Sequence, residues 1–256
     1  AERAGNAAGT IPAWDGGLSA PPAGIGYEPG GHHPDPFAAD KPLYSITAAN
    51  MAAHDAALTG GQKALLKAYP DSFAMNIYPT RRSCAYPERV YRAARRNAVS
   101  GKLTDNGEGV TGALMGPPFP IPQSAREALW NHELNFRGFK VVRPGASAVP
   151  TKGGDFTLET SIDKFIFRWA DPSLKSTEDL NNLLILVEKE GLTPPSNAGT
   201  VLVMHSPLDQ VAQERTAWFY KPGERRVKRM MAPAYDNPIG GSEGIRTNDN
   251  MQVFNG

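Results

Sequence analysis

His132-Glu133-Leu134-Asn135-Phe136 opens as the helical zinc-protease pattern does, but the position four residues after His132 holds Phe136. The second imidazole that a shared metal needs on that helix face is therefore missing. His32-His33 with Asp35 supplies ligand types, yet adjacent histidines in a proline-rich stretch rarely converge on an ion without further donors, so no metal is expected. His205-Ser206 follows Val201-Leu202-Val203-Met204 at the end of a predicted strand. No G-x-S-x-G elbow accompanies that pair, and the reading is an edge or packed histidine rather than a general base. His132 with Glu133 is the least poor acid-base pair, although neighbours on a helix point in different directions. Phosphate-loop and dinucleotide fingerprints are absent, so no cofactor is expected. Cys84 is the single cysteine, which excludes an internal disulfide framework and a cysteine cluster.

Binding chemistry has more material. Arg81-Arg82 and the run Arg225-Arg226 through Lys228-Arg229 are candidates for contact with an anion or an acidic partner. On an alternating strand, Arg226 and Lys228 point to one face and Val227 and Arg229 to the other, so part of this cluster is expected to be a solvated face. A second candidate set is apolar: Trp130, Phe165, Phe167, Trp169, Trp218 and Tyr220, with Met204, Met230 and Met231, could line a cavity for an acyl chain. Core packing explains the same residues.

Positioning these groups requires a fold. The 256 residues can bury a sizeable core, and their 27 basic and 26 acidic side chains leave a formal charge of +1, which argues against nucleic acid as a partner. The 26 glycines and 23 prolines predict long, specifically shaped connections. No apolar run approaches the roughly 20 residues that span a bilayer. Residues 1–46, with Gly16-Gly17, Pro21-Pro22, Gly30-Gly31, Pro34 and Pro36, read as an extended arm. Trp14, Leu18, Tyr27 and Phe37 are placed along it to pack on the body, which is expected to be one domain over 47–256.

Local signals predict four helices in the first half. Thr47 caps Ala48 to Leu58; Thr59 with Gln62 forms a capping box for a second helix ending near Tyr69-Pro70; a third follows Pro87 to Asn97; Ser124 with Glu127 opens a fourth through Leu129, Trp130 and Leu134 toward Gly138. From Phe139 the period shifts toward two. Phe156 and Leu158 share one phase, and Phe165, Phe167 and Trp169 another, so a bulge or turn near Asp163-Lys164 is expected if both sets are to face one core. Leu183 to Glu190 and Thr200 to His205 are further strands. A hairpin joins Ala217-Trp218-Phe219-Tyr220 to Arg225-Arg226-Val227-Lys228-Arg229 through Lys221-Pro222-Gly223-Glu224. Helices followed by strands predict an antiparallel α+β class.

Several phrases run in order along nearly the whole chain: Gly9-Thr10-Ile11-Pro12-Ala13-Trp14 with Gly16-Gly17-Leu18; Asp40-Lys41-Pro42-Leu43 with Ile46-Thr47-Ala48; Tyr78-Pro79-Thr80-Arg81-Arg82; Pro118-Phe119-Pro120-Ile121-Pro122; Trp130-Asn131-His132; Trp218 through Val227; and Tyr235-Asp236, Arg246-Thr247 and Phe254-Asn255-Gly256. Together they resemble a bacterial family of exported proteins of unknown function, described as outer-membrane lipoprotein-sorting-like. The resemblance implies export to the periplasm and a curved antiparallel sheet forming an incomplete barrel with helices on its concave face, as in the periplasmic lipoprotein carrier and its outer-membrane receptor. It also implies work beside an outer-membrane protein and a resistance-nodulation-division type permease. Members continue past the closing phrase, so later strands of the sheet are expected to lie beyond residue 256. No catalytic residue is carried over. The function expected is a non-enzymatic carrier of a lipid, lipoprotein or other hydrophobic ligand, with a structural adaptor and an envelope hydrolase as the competing readings.

Overall fold

The computed structural model describes residues 4–20, 22–28, 31–230, 236–239, 242 and 244–247. Its contacts divide the chain into two compact units, Ala1–Tyr86 and Pro87–Gly256. The expected arm, 1–46, thus shares its unit with residues 47–86.

The first unit is built on a small core of Ile46, Leu58 and Leu66, flanked by Met51, Phe73, Met75 and Ile77. Two short strands, β1 (Tyr44–Ile46) and β2 (Met75–Ile77), pair antiparallel beside it. Helix α1 (Gly60–Ala68) begins as expected. The Thr59 side chain accepts from the Gln62 backbone N–H at 3.3 Å, and the Gln62 side chain accepts from Thr59 N–H at 2.8 Å, satisfying two of the donors a helix start leaves open. The preceding segment differs from expectation: it is a 3-10 stretch, Met51–Ala57, and Thr47 does not cap it. Asn50 Oδ1 accepts the Thr47 N–H at 2.7 Å while its Nδ2 donates to the Ser45 carbonyl, so local side-chain bonds bend the backbone before a helix can start.

The expected arm is tied to residues 81–84 within this unit. Leu18 N–H donates to Ser83 O at 2.7 Å, Trp14 Nε1–H to Cys84 O at 3.2 Å and Arg82 Nη1–H to Pro12 O at 3.3 Å. Gly17, at φ +69°, would place any Cβ 2.6 Å from the Cys84 carbonyl oxygen, so only glycine admits this approach.

The second unit opens with α2 (Glu88–Ser100), then a two-stranded pair, β3 (Lys102–Leu103) and β4 (Val110–Thr111), and α3 (Ala125–Glu133), whose Ser124 cap accepts the Glu127 N–H. A six-stranded antiparallel meander follows: β5 (Lys140–Pro150), β6 (Phe156–Phe167), β7 (Leu183–Thr193), β8 (Val201–Pro207), β9 (Thr216–Lys221) and β10 (Arg226–Met230), adjacent in space in chain order. The class is α+β, as expected, and the sheet is open, with β5 and β10 as its edges among the described strands. Chemistry accounts for both edges. Pro144 and Pro150 cannot donate to a ladder and so belong on an outer strand, and Arg226, Lys228 and Arg229 discourage further pairing.

The main core lies toward one end of this sheet, where Leu184 and Leu208 meet Val110, Ala113, Leu114, Phe119, Leu134, Trp169 and Leu180. Buried polar side chains knit the irregular stretch between α2 and α3 to it. Asn97, 4% exposed, donates to the carbonyls of Leu114, Gly116 and Pro117 and accepts the Leu114 N–H. Thr177 Oγ1 donates to Ala113 O at 2.7 Å and accepts Ala113 N–H at 3.1 Å. Each closes backbone groups that burial would otherwise leave unpaired.

The bulge expected near Asp163-Lys164 lies elsewhere. β6 pairs regularly with β5 throughout, and the irregularity is between β6 and β7 at Thr160/Ser161. The two aromatic phases of β6 therefore stay on opposite faces, with Phe156 and Leu158 exposed. Trp169 is not on the strand but in a 3-10 turn, Arg168–Ala170, which drops its ring into the core.

Candidate functional site

Strand register assigns the sheet side chains to faces, since directly paired residues share a face and successive residues alternate. One row runs Val141, Phe165, Val187, Met204, Ala217, Met230 across all six strands. The row Arg143, Asp163, Lys189, Leu202, Phe219, Lys228 lies on the same face, as does the triplet Phe167, Ile185, Ser206. The opposite face carries Val142, Lys164, Glu188, Val203, Trp218, Arg229 and the row Pro144, Ile162, Glu190, Val201, Tyr220, Val227.

The sheet thus separates the aromatics that the sequence grouped together. Phe165 and Phe167 stack with ring centroids 5.5 Å apart and share their face with Met204 and Met230, whereas Trp218 and Tyr220 point the other way. Trp218 packs edge-on against His205 at 5.0 Å, which makes that histidine a packing partner. Trp130 is on α3, its Nε1–H bonded to Gly107 O at 3.1 Å, and Trp169, 3% exposed, donates to Gly116 O at 3.0 Å; both belong to the core region. Met231 falls outside the described residues. The first face, around Phe165, Val187, Met204, Leu202 and Phe219, is only partly buried, and Met230 is 42% exposed.

Where this face meets the helical region, Phe167, Ile185, Leu184, Trp169 and Ala170 border a small cleft whose remaining wall is Glu133, Leu134, Asn135 and Arg137. Its free volume is about 20 Å³, room for one water molecule and far below the several hundred Å³ of a typical ligand pocket. The polar groups at this end are organised. Arg137 Nε–H donates to Asn135 Oδ1 at 2.6 Å, and Arg215 Nε–H donates to Ser206 Oγ at 3.1 Å. Burial pulls the Arg215 pKa down from the ordinary guanidinium range, opposed by the negative charge of Glu133. Sequence reading missed Arg215 and Arg137, since neither belongs to a basic run.

Of the basic candidates, Arg81 and Arg82 are engaged within the first unit. Arg81 holds Asp40 with two hydrogen bonds, 2.9 and 2.7 Å, and stacks 4.5 Å from the Phe37 ring centroid, so its Nε–Nη2 edge is occupied. Arg82 reaches the Pro12 carbonyl. Arg225, at φ +49°, is in the β9–β10 turn, and Arg226 is exposed at the start of β10. The Lys228 ammonium pairs with Glu224, lowering the Glu224 pKa. His33 stacks on Tyr27 at 4.9 Å, and among the described residues no group of three or more His, Cys, Asp or Glu side chains is placed to hold a metal ion. No described helix is long and apolar enough to cross a membrane.

An antiparallel α+β protein with an open six-stranded sheet is the class that this geometry defines. The chain belongs to the bacterial family described as "Protein of unknown function (DUF1329)", whose model matches residues 45–256. It is 40% identical over 257 residues to an uncharacterized protein of Pseudomonas aeruginosa, an alignment that takes in all of this chain and 56% of that protein. The chain thus spans about half the length of that relative. No solved structure matches it.

Proposed function

We propose that the protein is a non-enzymatic binding protein of the bacterial envelope that takes a lipid, a lipoprotein acyl chain or another hydrophobic ligand on the sheet face bearing Phe165, Phe167, Val187 and Met204. The observation that carries this reading is the partial exposure of that face: two stacked aromatics, a methionine and aliphatics lie side by side across three strands without being fully covered. Burying such surface is worth about 25 cal/mol per Å², and methionine adapts to irregular apolar shapes. The cleft is too small to enclose a chain. The ligand in this reading lies across the open face, with a polar head near Glu133, Asn135 and Arg137.

In the same reading the sheet is the wall of an incomplete barrel, the protein works in the periplasm, and an outer-membrane protein and a resistance-nodulation-division type permease are its partners. The adaptor reading draws on a different feature, the exposed edge strand β10, where an extended partner segment would add by strand pairing. Mass spectrometry of organic extracts from the folded protein, purified from a native envelope, separates the two. A stoichiometric apolar molecule supports the carrier; a clean extract from folded protein favours the adaptor.

A further inference from the structure

Helix α2 carries four exposed arginines, Arg89, Arg92, Arg95 and Arg96, while Val90, Ala93 and Asn97 form its buried side. At 3.6 residues per turn, positions 89, 92, 96 and 99 fall on one face, with Arg95 and Glu88 beside it. Glu88 is the one acid of the helix and pairs with Arg95 at 3.3 Å. Arg89 lies 5.3 Å from the Phe136 ring centroid. Arg92 and Arg96 have no carboxylate partner among the described residues. Val99, on this same face, is 88% exposed. A 13-residue helix thus presents four positive charges against one negative charge, together with a bare aliphatic side chain at its C-terminal end.

We propose that this face is a docking surface for an anionic phospholipid bilayer. Charge complementarity names the chemistry, because guanidinium forks bind phosphate oxygens in pairs. Val99 decides between a bilayer and an acidic protein: a basic helix face that also exposes an aliphatic side chain fits the headgroup–acyl boundary, where charge stays among phosphates and the alkyl group enters the boundary. The inference rests on α2 alone and stands or falls separately from ligand binding by the sheet.

The test is co-sedimentation of the full chain with extruded vesicles of phosphatidylcholine, with and without phosphatidylglycerol, at two salt concentrations. The expected result is binding that requires phosphatidylglycerol, weakens with salt and falls roughly 25-fold in R92Q/R96Q, since each basic residue near an anionic surface contributes about a factor of five. Glutamine is a good helix former and both positions are exposed, so circular dichroism of the variant should match the wild type. Equal binding to pure phosphatidylcholine, no vesicle binding, or unchanged binding by R92Q/R96Q overturns the proposal. Capture of poly-L-glutamate without vesicle binding also overturns it and reassigns the face to an acidic protein.

Discussion

Arg81 grips both carboxylate oxygens of Asp40 through the Nε–Nη2 edge of its guanidinium, at 2.9 and 2.7 Å, across 41 residues of sequence. With Arg81 also over the Phe37 ring, this pair fastens the proline-rich arm to the segment that precedes α2. An arginine doublet that reads as an anion site is therefore part of how the first unit is assembled.

Breaking this clasp should free the arm without unfolding the rest. Arg81→Ala should speed limited proteolysis within residues 31–43 while leaving far-UV circular dichroism nearly unchanged. A double-mutant cycle with Asp40→Ala should give a coupling of about 0.5–1 kcal/mol, the range of a partly exposed but well-aligned pair. Unaltered cleavage kinetics would mean that the arm is held by its backbone bonds alone.

Asn97 is a heavier commitment. Its truncation leaves three carbonyl groups and the Leu114 N–H without this buried partner, so Asn97→Ala should destabilise the fold by about 2–4 kcal/mol. Asn97→Asp should cost more, because a carboxylate would face carbonyl oxygens that it cannot bond. Urea denaturation measures both; a loss under about 0.5 kcal/mol for Asn97→Ala would show that the loop closes in another way.

Asp179 provides a pH signature. Its carboxylate accepts the backbone N–H groups of Lys175 and Ser176, at 2.8 and 3.0 Å, which hold its pKa below the ordinary 3.8. A depressed folded-state pKa contributes stability that is present above the unfolded value and is lost as pH falls through the folded one. The melting temperature of Asp179→Ala should thus trail the wild type at neutral pH, with the gap narrowing once pH drops below 3.8. A gap independent of pH would sever the effect from this carboxylate's charge.

Local chemistry was the legible part of this chain. Thr59 with Gln62 and Ser124 with Glu127 announce helix starts because their partners sit three residues away, and the β9–β10 hairpin follows from its turn residues. The pairing of Tyr44 with Ile77 joins three-residue strands, too short to show a period, across the 3-10 stretch and α1. Asp40 was equally invisible as the partner of Arg81. Residue type alone carries no face, so the apolar candidates look like one group; register sends Trp218 away from Met204, and the 3-10 turn after β6 sends Trp169 into the core. The arginine face of α2 was within reach, since positions 89, 92 and 96 have helical spacing, but single arginines without a run draw no attention.

The central claim is that one sheet face binds an apolar ligand, and Met204 and Val203 test it as chain neighbours on opposite faces of β8. A lysine at either site makes a matched perturbation of the same strand, but only Met204→Lys sets a charge among Phe165, Val187 and the ligand, where an unpaired charge is costly to bury. Titration with a dansylated fatty acid, followed by fluorescence, should show Met204→Lys weakening capture tenfold or more and Val203→Lys changing it less than about twofold. Equal loss in both variants, loss in Val203→Lys alone, or no capture by the wild type would contradict the account.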